Sequence, residues 1–138
     1  MTKNNHQFLI ALGSNIGLAT SRPVDIIKEA IIELSKSGII LKSLSRFYET
    51  PAYPKGSGPN FVNSVVKAEA NYSAFEILQK LHKIEDKFER LRESRWSART
   101  LDLDLLALEE QVLPSREVFQ YWYDLPLDEQ KKKTPSEL

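Results

Sequence analysis

The chain has 138 residues, enough for one domain around a single core. Lys and Arg number 19 against 19 Asp and Glu, so a formal net charge of zero excludes a global pull toward nucleic acid or an anionic membrane, and any basic site is local. The absence of cysteine excludes a disulfide framework, a thiolate metal site and a cysteine nucleophile. No apolar run approaches the ~20 residues of a membrane span, and the polar start has no signal-peptide core. The expectation is a cytoplasmic protein without a membrane or nucleic-acid partner.

In chain order, residues 8–13 (FLIALG) read as a short buried strand ending at a glycine. Residues 13–17 (GSNIG) follow as a loop, with residue types suited to turns and positive φ. A strand ending in G-S-N can cradle a phosphate and can equally be a plain turn. Pro23 suits a first helical turn; Val24, Ile27, Ile31 and Leu34 mark a helix face, and Gly38 stops it. Residues 39–48 are strand-like through Ile39, Leu41 and Phe47, with Ser43 and Ser45 interrupting the pattern. Residues 49–59 hold three prolines and two glycines and predict a long loop, free to close over a ligand.

Residues 61–70 predict the next strand. Val62, Ser64, Val66, Ala68 and Ala70 form a small, mostly apolar face. Phe61, Asn63, Val65, Lys67 and Glu69 form the other, so Phe61 and Asn63 lie together at one end. From Ser73 to Glu76 the chain has a capping box, with Tyr72 and Ile77 as a hydrophobic staple. Ile77, Leu78, Leu81, Ile84 and Phe88 continue as a helical stripe. His82 and Glu85 lie three apart on another face, which reads as solvated, with a nucleotide contact conceivable at His82. Residues 89–94 are charged and are expected to be mobile where the helix ends. Trp96 then precedes a strongly apolar run, where it serves either the core or a flat heterocycle.

That run is the most chemical stretch of the chain. Leu101, Leu103 and Leu105 alternate with Asp102 and Asp104, which is strand spacing. Both carboxylates therefore project from one face, with Cα atoms roughly 6.5–7 Å apart. Adjacent carboxylates repel unless something positive lies between them. Arginine or a divalent metal would do it, and oxygen-only ligands favour Mg²⁺, which takes one or two carboxylates and completes its shell with phosphates and water.

Residues 95–106, R-W-x-x-R-T-L-D-L-D-L-L, resemble the signature of the 6-hydroxymethyl-7,8-dihydropterin pyrophosphokinase family of folate biosynthesis. G-S-N after the first strand, the Thr50-Pro51 loop, aromatic-x-Asn at Phe61 and Asn63, and I-E-x-x-x-x-R-x-R from Ile84 to Arg92 agree in order. The resemblance implies pyrophosphate transfer from ATP, as co-substrate, to the pterin alcohol, with release of AMP. It implies that Asp102 and Asp104 hold two Mg²⁺ ions and act with Arg90 and Arg99 as the catalytic set. It assigns Thr50, Pro51, Tyr53, Phe61, Asn63 and Trp96 to the pterin. The nucleotide falls to His82, Glu85, Arg90, Arg92, Arg95 and Arg99. The partners it implies are small molecules, and a monomer is expected.

The resemblance covers about residues 8–113. Beyond it the family's proline-histidine segment, arginine and second aromatic are not found. Residues 115–138 form an atypical tail or insertion whose aromatic stretch, 119–123, is expected to be a helix packed on the domain surface. The β-α-β-β-α-β order predicts an α+β fold, a ferredoxin-like α/β sandwich with a mainly antiparallel sheet, in one domain over residues 1–138. Two other functions fit parts of the sequence. One is a ferredoxin-like module binding single-stranded RNA through the basic stretch between Arg90 and Arg99. The other is a catalytically weak pterin-binding relative that lacks the closing segment.

Overall fold

The computed structural model describes residues 4–16, 22–88 and 100–134. In chain order the elements are β1 (His6–Ser14), α1 (Pro23–Lys36), β2 (Ile40–Leu44), β3 (Tyr48–Thr50), β4 (Phe61–Ala70), α2 (Ala74–Lys87), β5 (Asp102–Leu108), α3 (Arg116–Asp124) and α4 (Leu127–Lys132). The sheet runs β2-β4-β1-β5, with β3 continuing the β2 side of β4, and every pairing is antiparallel. Counting β2 and β3 as one broken strand, this is the ferredoxin-like βαββαβ order. The core lies between one sheet face and the helices. Phe8, Ile10 and Leu12 of β1, Val66, Ala68 and Ala70 of β4, and Leu103 and Leu108 of β5 meet Ile26, Ile27, Ala30 and Leu34 of α1 and Ile77, Leu81 and Ile84 of α2. The opposite face carries neither α1 nor α2. Among the described residues no helix is long and apolar enough to cross a membrane.

Local chemistry explains most boundaries. Pro23 stands at the first position of α1, and Asp25 Oδ2 accepts from the Arg22 amide at 3.2 Å. Gly38, at φ +82°, turns the chain out of that helix. The buried face of α1 is set by Ile26, Ile27, Ala30 and Leu34, rotated from the expected stripe, so that Val24 and Ile31 lie at its margin. The capping box at α2 forms as predicted: the Glu76 amide donates to Ser73 Oγ at 3.2 Å and the Ser73 amide to Glu76 Oε2 at 2.7 Å.

Four expectations need correction. First, β1 runs past the expected end at Gly13 to include Ser14, because the backbone stays extended and paired on both sides as far as Gly13 and to β4 at Ser14. Second, the strand expected over residues 39–48 is two strands. Lys42 bulges between Leu41 and Ser43, and the ladder breaks after Leu44. Ser45 patches the gap: its amide donates to the Val65 carbonyl at 2.9 Å, and its Oγ accepts from the Val65 amide at 2.8 Å. Third, β5 bulges at Leu106, between the Ile10–Leu105 and Leu9–Ala107 pairs, so alternation shifts, Leu106 is exposed and Leu108 is buried. Fourth, the aromatic stretch is helical as expected, but neither α3 nor α4 has a fully buried residue. Phe119 stacks on Tyr123 with ring centroids 6.2 Å apart, so the rings shield one another instead. The charged stretch 89–94 lies outside the described residues.

Candidate active site

The site is built on the face of the sheet opposite α1 and α2. Asn63 of β4 is directly opposite Gly13 of β1, and Gly13 is directly opposite Asp102 of β5. Val65, Ala11 and Asp104 form the next row on that face. Directly opposed residues project to the same side. The two rows therefore place Asn63 and Val65 on one flank and the paired aspartates on the other. Between them Ala11 and Gly13 have almost no side chain, which leaves a trough along β1. Adjacent strands lie ~4.8 Å apart, so the flanks stand roughly 10 Å apart at the backbone.

The Asn63 flank is tightly arranged. Asn63 Nδ2 donates to Thr50 Oγ1 at 2.7 Å, while Oδ1 leans over β1. A Cβ on Gly13 would lie 2.8 Å from that Oδ1 and 3.6 Å from Phe61 Cδ1. Gly13 is thus needed for close approach and not for an unusual φ. The loop after Thr50 is held near the trough at its far end, where Asn15 Nδ2 donates to the Pro59 carbonyl at 3.1 Å. In that loop Pro51 and Tyr53 are exposed, and Lys131 Nζ of α4 stands 5.0 Å from the Tyr53 ring centroid.

On the opposite flank Asp102 is half-buried and Asp104 is exposed, with buried Leu103 anchoring the strand between them. The Leu103 amide donates to Glu85 Oε1 at 2.9 Å. No group of three or more His, Cys, Asp or Glu that could hold a metal occurs among the described residues. Two oxygen donors fit Mg²⁺ that shares its shell with phosphates and water, and they do not fit a closed tetrahedral zinc site.

The structure therefore brings together Thr50, Phe61, Asn63, Asp102 and Asp104 on one face. It does not bring His82 to them: His82 is exposed on α2, in an open groove of about 580 Å³ beside Tyr72, Lys80 and Asp86. Glu85 is 1% exposed and turns to the β5 backbone instead of outward to solvent. Arg90, Arg92, Arg95, Trp96 and Arg99 lie outside the described residues. Sequence reasoning missed Ala11 and Gly13 as the floor. Their signal is small size at alternate positions of β1, which acquires meaning only beside Asn63 and the aspartates.

Residues 9–129 match the model of the 7,8-dihydro-6-hydroxymethylpterin-pyrophosphokinase family. The chain belongs to this family. The match runs past residue 113, where the motif resemblance stops, and takes in all of α3. The chain is similar to the 2-amino-4-hydroxy-6-hydroxymethyldihydropteridine pyrophosphokinase of Haemophilus influenzae, 33% identical over 117 residues, covering 84% of this chain and 71% of that one. To the Synechocystis protein of the same name it is 39% identical over 103 residues, covering 73% of this chain and 50% of the relative. The folate synthesis bifunctional protein, mitochondrial, of Pisum sativum is 37% identical over 103 residues, which are 74% of this chain and 19% of that protein.

Proposed function

We propose that this chain transfers the terminal pyrophosphate of ATP to the hydroxymethyl oxygen of 6-hydroxymethyl-7,8-dihydropterin. The observation that carries this reading is the row Asn63–Gly13–Asp102, with an amide and a carboxylate facing one shallow trough from opposite flanks. The Asn63 carboxamide offers both donor and acceptor to the mixed edge of a pterin, and Phe61 lends a ring beside it. The Thr50 hydroxyl fixes the carboxamide, and the loop beyond it closes on the ligand. Asp102 and Asp104 hold the Mg²⁺ ions that accompany ATP, two in this reading. When bound, Mg²⁺ supplies charge neutralisation and alignment of the phosphate oxygens. Arg90, Arg92, Arg95 and Arg99 are proposed as the phosphate partners, with Arg90 and Arg99 at the reacting end, and Trp96 as a second ring against the pterin.

The reaction joins the hydroxymethyl oxygen to the β-phosphorus and breaks the bond from that phosphorus to the α,β-bridging oxygen, which leaves with AMP. The hydroxyl proton passes to solvent. Positioning and charge stabilisation are the protein's main contributions to such a transfer. The test is AMP formation from ATP and Mg²⁺ with and without the pterin alcohol. AMP that depends on the alcohol and disappears in EDTA is expected. No AMP with both substrates present, or ATP binding that survives chelation, overturns the proposal. Single-stranded RNA binding that persists in EDTA would favour the RNA-binding module instead.

A further inference from the structure

Glu85 is the one buried charged residue among those described, at 1% exposure. On α2 it shares the buried side with Ile77, Leu81 and Ile84, a position where a hydrophobic residue would ordinarily stand. Desolvating a carboxylate is costly unless it gains strong partners. One of its partners is the amide of Leu103, 2.9 Å from Oε1. Leu103 is the residue between Asp102 and Asp104.

Strand pairing explains why this amide needs Glu85. Among the described residues β5 ends the order β2-β4-β1-β5, and β1 is its only strand neighbour there. Hydrogen-bonded and non-hydrogen-bonded pairs alternate along an antiparallel ladder. The Leu103 amide turns away from β1 to Glu85, which leaves the flanking Asp102–Gly13 and Asp104–Ala11 pairs as those bonded to β1. At a sheet edge the Leu103 amide would lack an acceptor, yet Leu103 is only 3% exposed. A buried amide without a partner is strongly disfavoured. Glu85 supplies a charge-assisted acceptor on the edge where the sheet has none.

We infer that Glu85 is a positioning residue for the acid pair. Through the Leu103 amide it fixes the peptide between the two aspartates, and so sets how both carboxylates project over the trough. The metal part of this inference rests on the proposed reaction; the bond to Leu103 does not. Outer partners of this kind typically alter metal affinity or activity by ~10–100-fold when removed.

The test compares Glu85→Ala with Glu85→Gln, which keeps an acceptor oxygen at the same reach. In Glu85→Ala the Leu103 amide is expected to exchange at least ~tenfold faster. The Mg²⁺ concentration for half-maximal AMP formation is expected to rise by ~10-fold or more, with pterin KM unchanged. Glu85→Gln is expected to keep both quantities within about threefold of the parent. A raised ATP KM in both variants, with unchanged Leu103 exchange and Mg²⁺ response, would mean direct nucleotide contact and overturn the inference. A fall in Tm in Glu85→Ala, with the Mg²⁺ response of the folded protein intact, would reduce Glu85 to a structural role. If Glu85→Ala does not fold, Glu85→Gln decides alone: a raised Mg²⁺ requirement there overturns the inference, and a parental response supports it. If the parent forms no AMP, the proposed reaction fails. Leu103 exchange and Mn²⁺-induced broadening of the Asp102 and Asp104 amide signals, compared between parent and variants, then still judge Glu85.

Discussion

At Gly13 a single methyl group would have to share space with Asn63 Oδ1, 2.8 Å from its position. The carboxamide cannot move freely, because its nitrogen is tied to Thr50 Oγ1 at 2.7 Å. Gly13→Ala should therefore break or bend that bond, worth ~1 kcal/mol net. Steady-state kinetics should show pterin KM raised about five- to tenfold, with ATP KM unchanged. An unaltered pterin KM would remove Asn63 from ring recognition. Asp104 is exposed, so its removal opens no cavity in the apolar core. Asp104→Ala should abolish AMP release while shifting stability by less than ~0.5 kcal/mol. Turnover near the parental rate would refute the acid pair.

The elements differ in how much tertiary context they need. α1 and α2 are joined outside the core by Lys87 Nζ and Glu33 Oε2 at 2.7 Å, with Lys36 also 3.3 Å from Glu33 Oε1. The hydrogen bond from Lys87 and then that from Lys36 lower the Glu33 pKa. A carboxyl with a lowered folded pKa adds stability that is fully present above its unfolded pKa, ~4.3. That stability is lost as pH falls through the folded value. The Tm gap between the parent and Glu33→Gln should thus exist at neutral pH and close in acid. It should also narrow in high salt, because the pair is solvent-accessible. A gap that widens in acid would contradict the ion-pair account. α3 makes a contrasting case: with no buried residue, its aromatics contribute little to the fold. Phe119→Ser with Tyr123→Ser should leave the Tm of the sheet domain within about 2 °C; a larger drop would show that α3 packs on the domain after all.

For the whole molecule, a ligand that binds only the folded state raises its stability by RT ln(1 + [L]/Kd), about 2.7 kcal/mol at 100 times Kd. Mg²⁺ and ATP together should raise Tm, and EDTA should remove the rise; a shift with ATP alone that survives EDTA would speak against carboxylate-held metal. The broad fold was legible because alternation at residues 61–70, the capping box at Ser73 and Glu76, and Pro23 with Gly38 are local signals. The acid pair was legible for the same reason, since two residues of spacing on a strand fix a shared face. Gly13 was legible as the end of a strand, but not as the floor between Asn63 and Asp102, because those partners are distant in sequence and only pairing reveals them. Ser45 looked like an interruption because its patching of the Val65 amide also depends on pairing. The burial of Glu85 escaped the stripe of α2 because its reward is an amide on another element.

β1 stands between β4 and β5, so the first of the described strands is completed by the last of them. During synthesis β1 must wait for β4 before it has a strand neighbour, and for residues 102–108 before its second edge is covered. Pairings this remote carry a high closure entropy and slow folding. The acid pair reaches its place over Gly13 in the same event that seals β1. A nascent chain that has reached β4 alone can therefore present only the Asn63 flank of the trough: the two flanks face one another only when β5 closes the sheet.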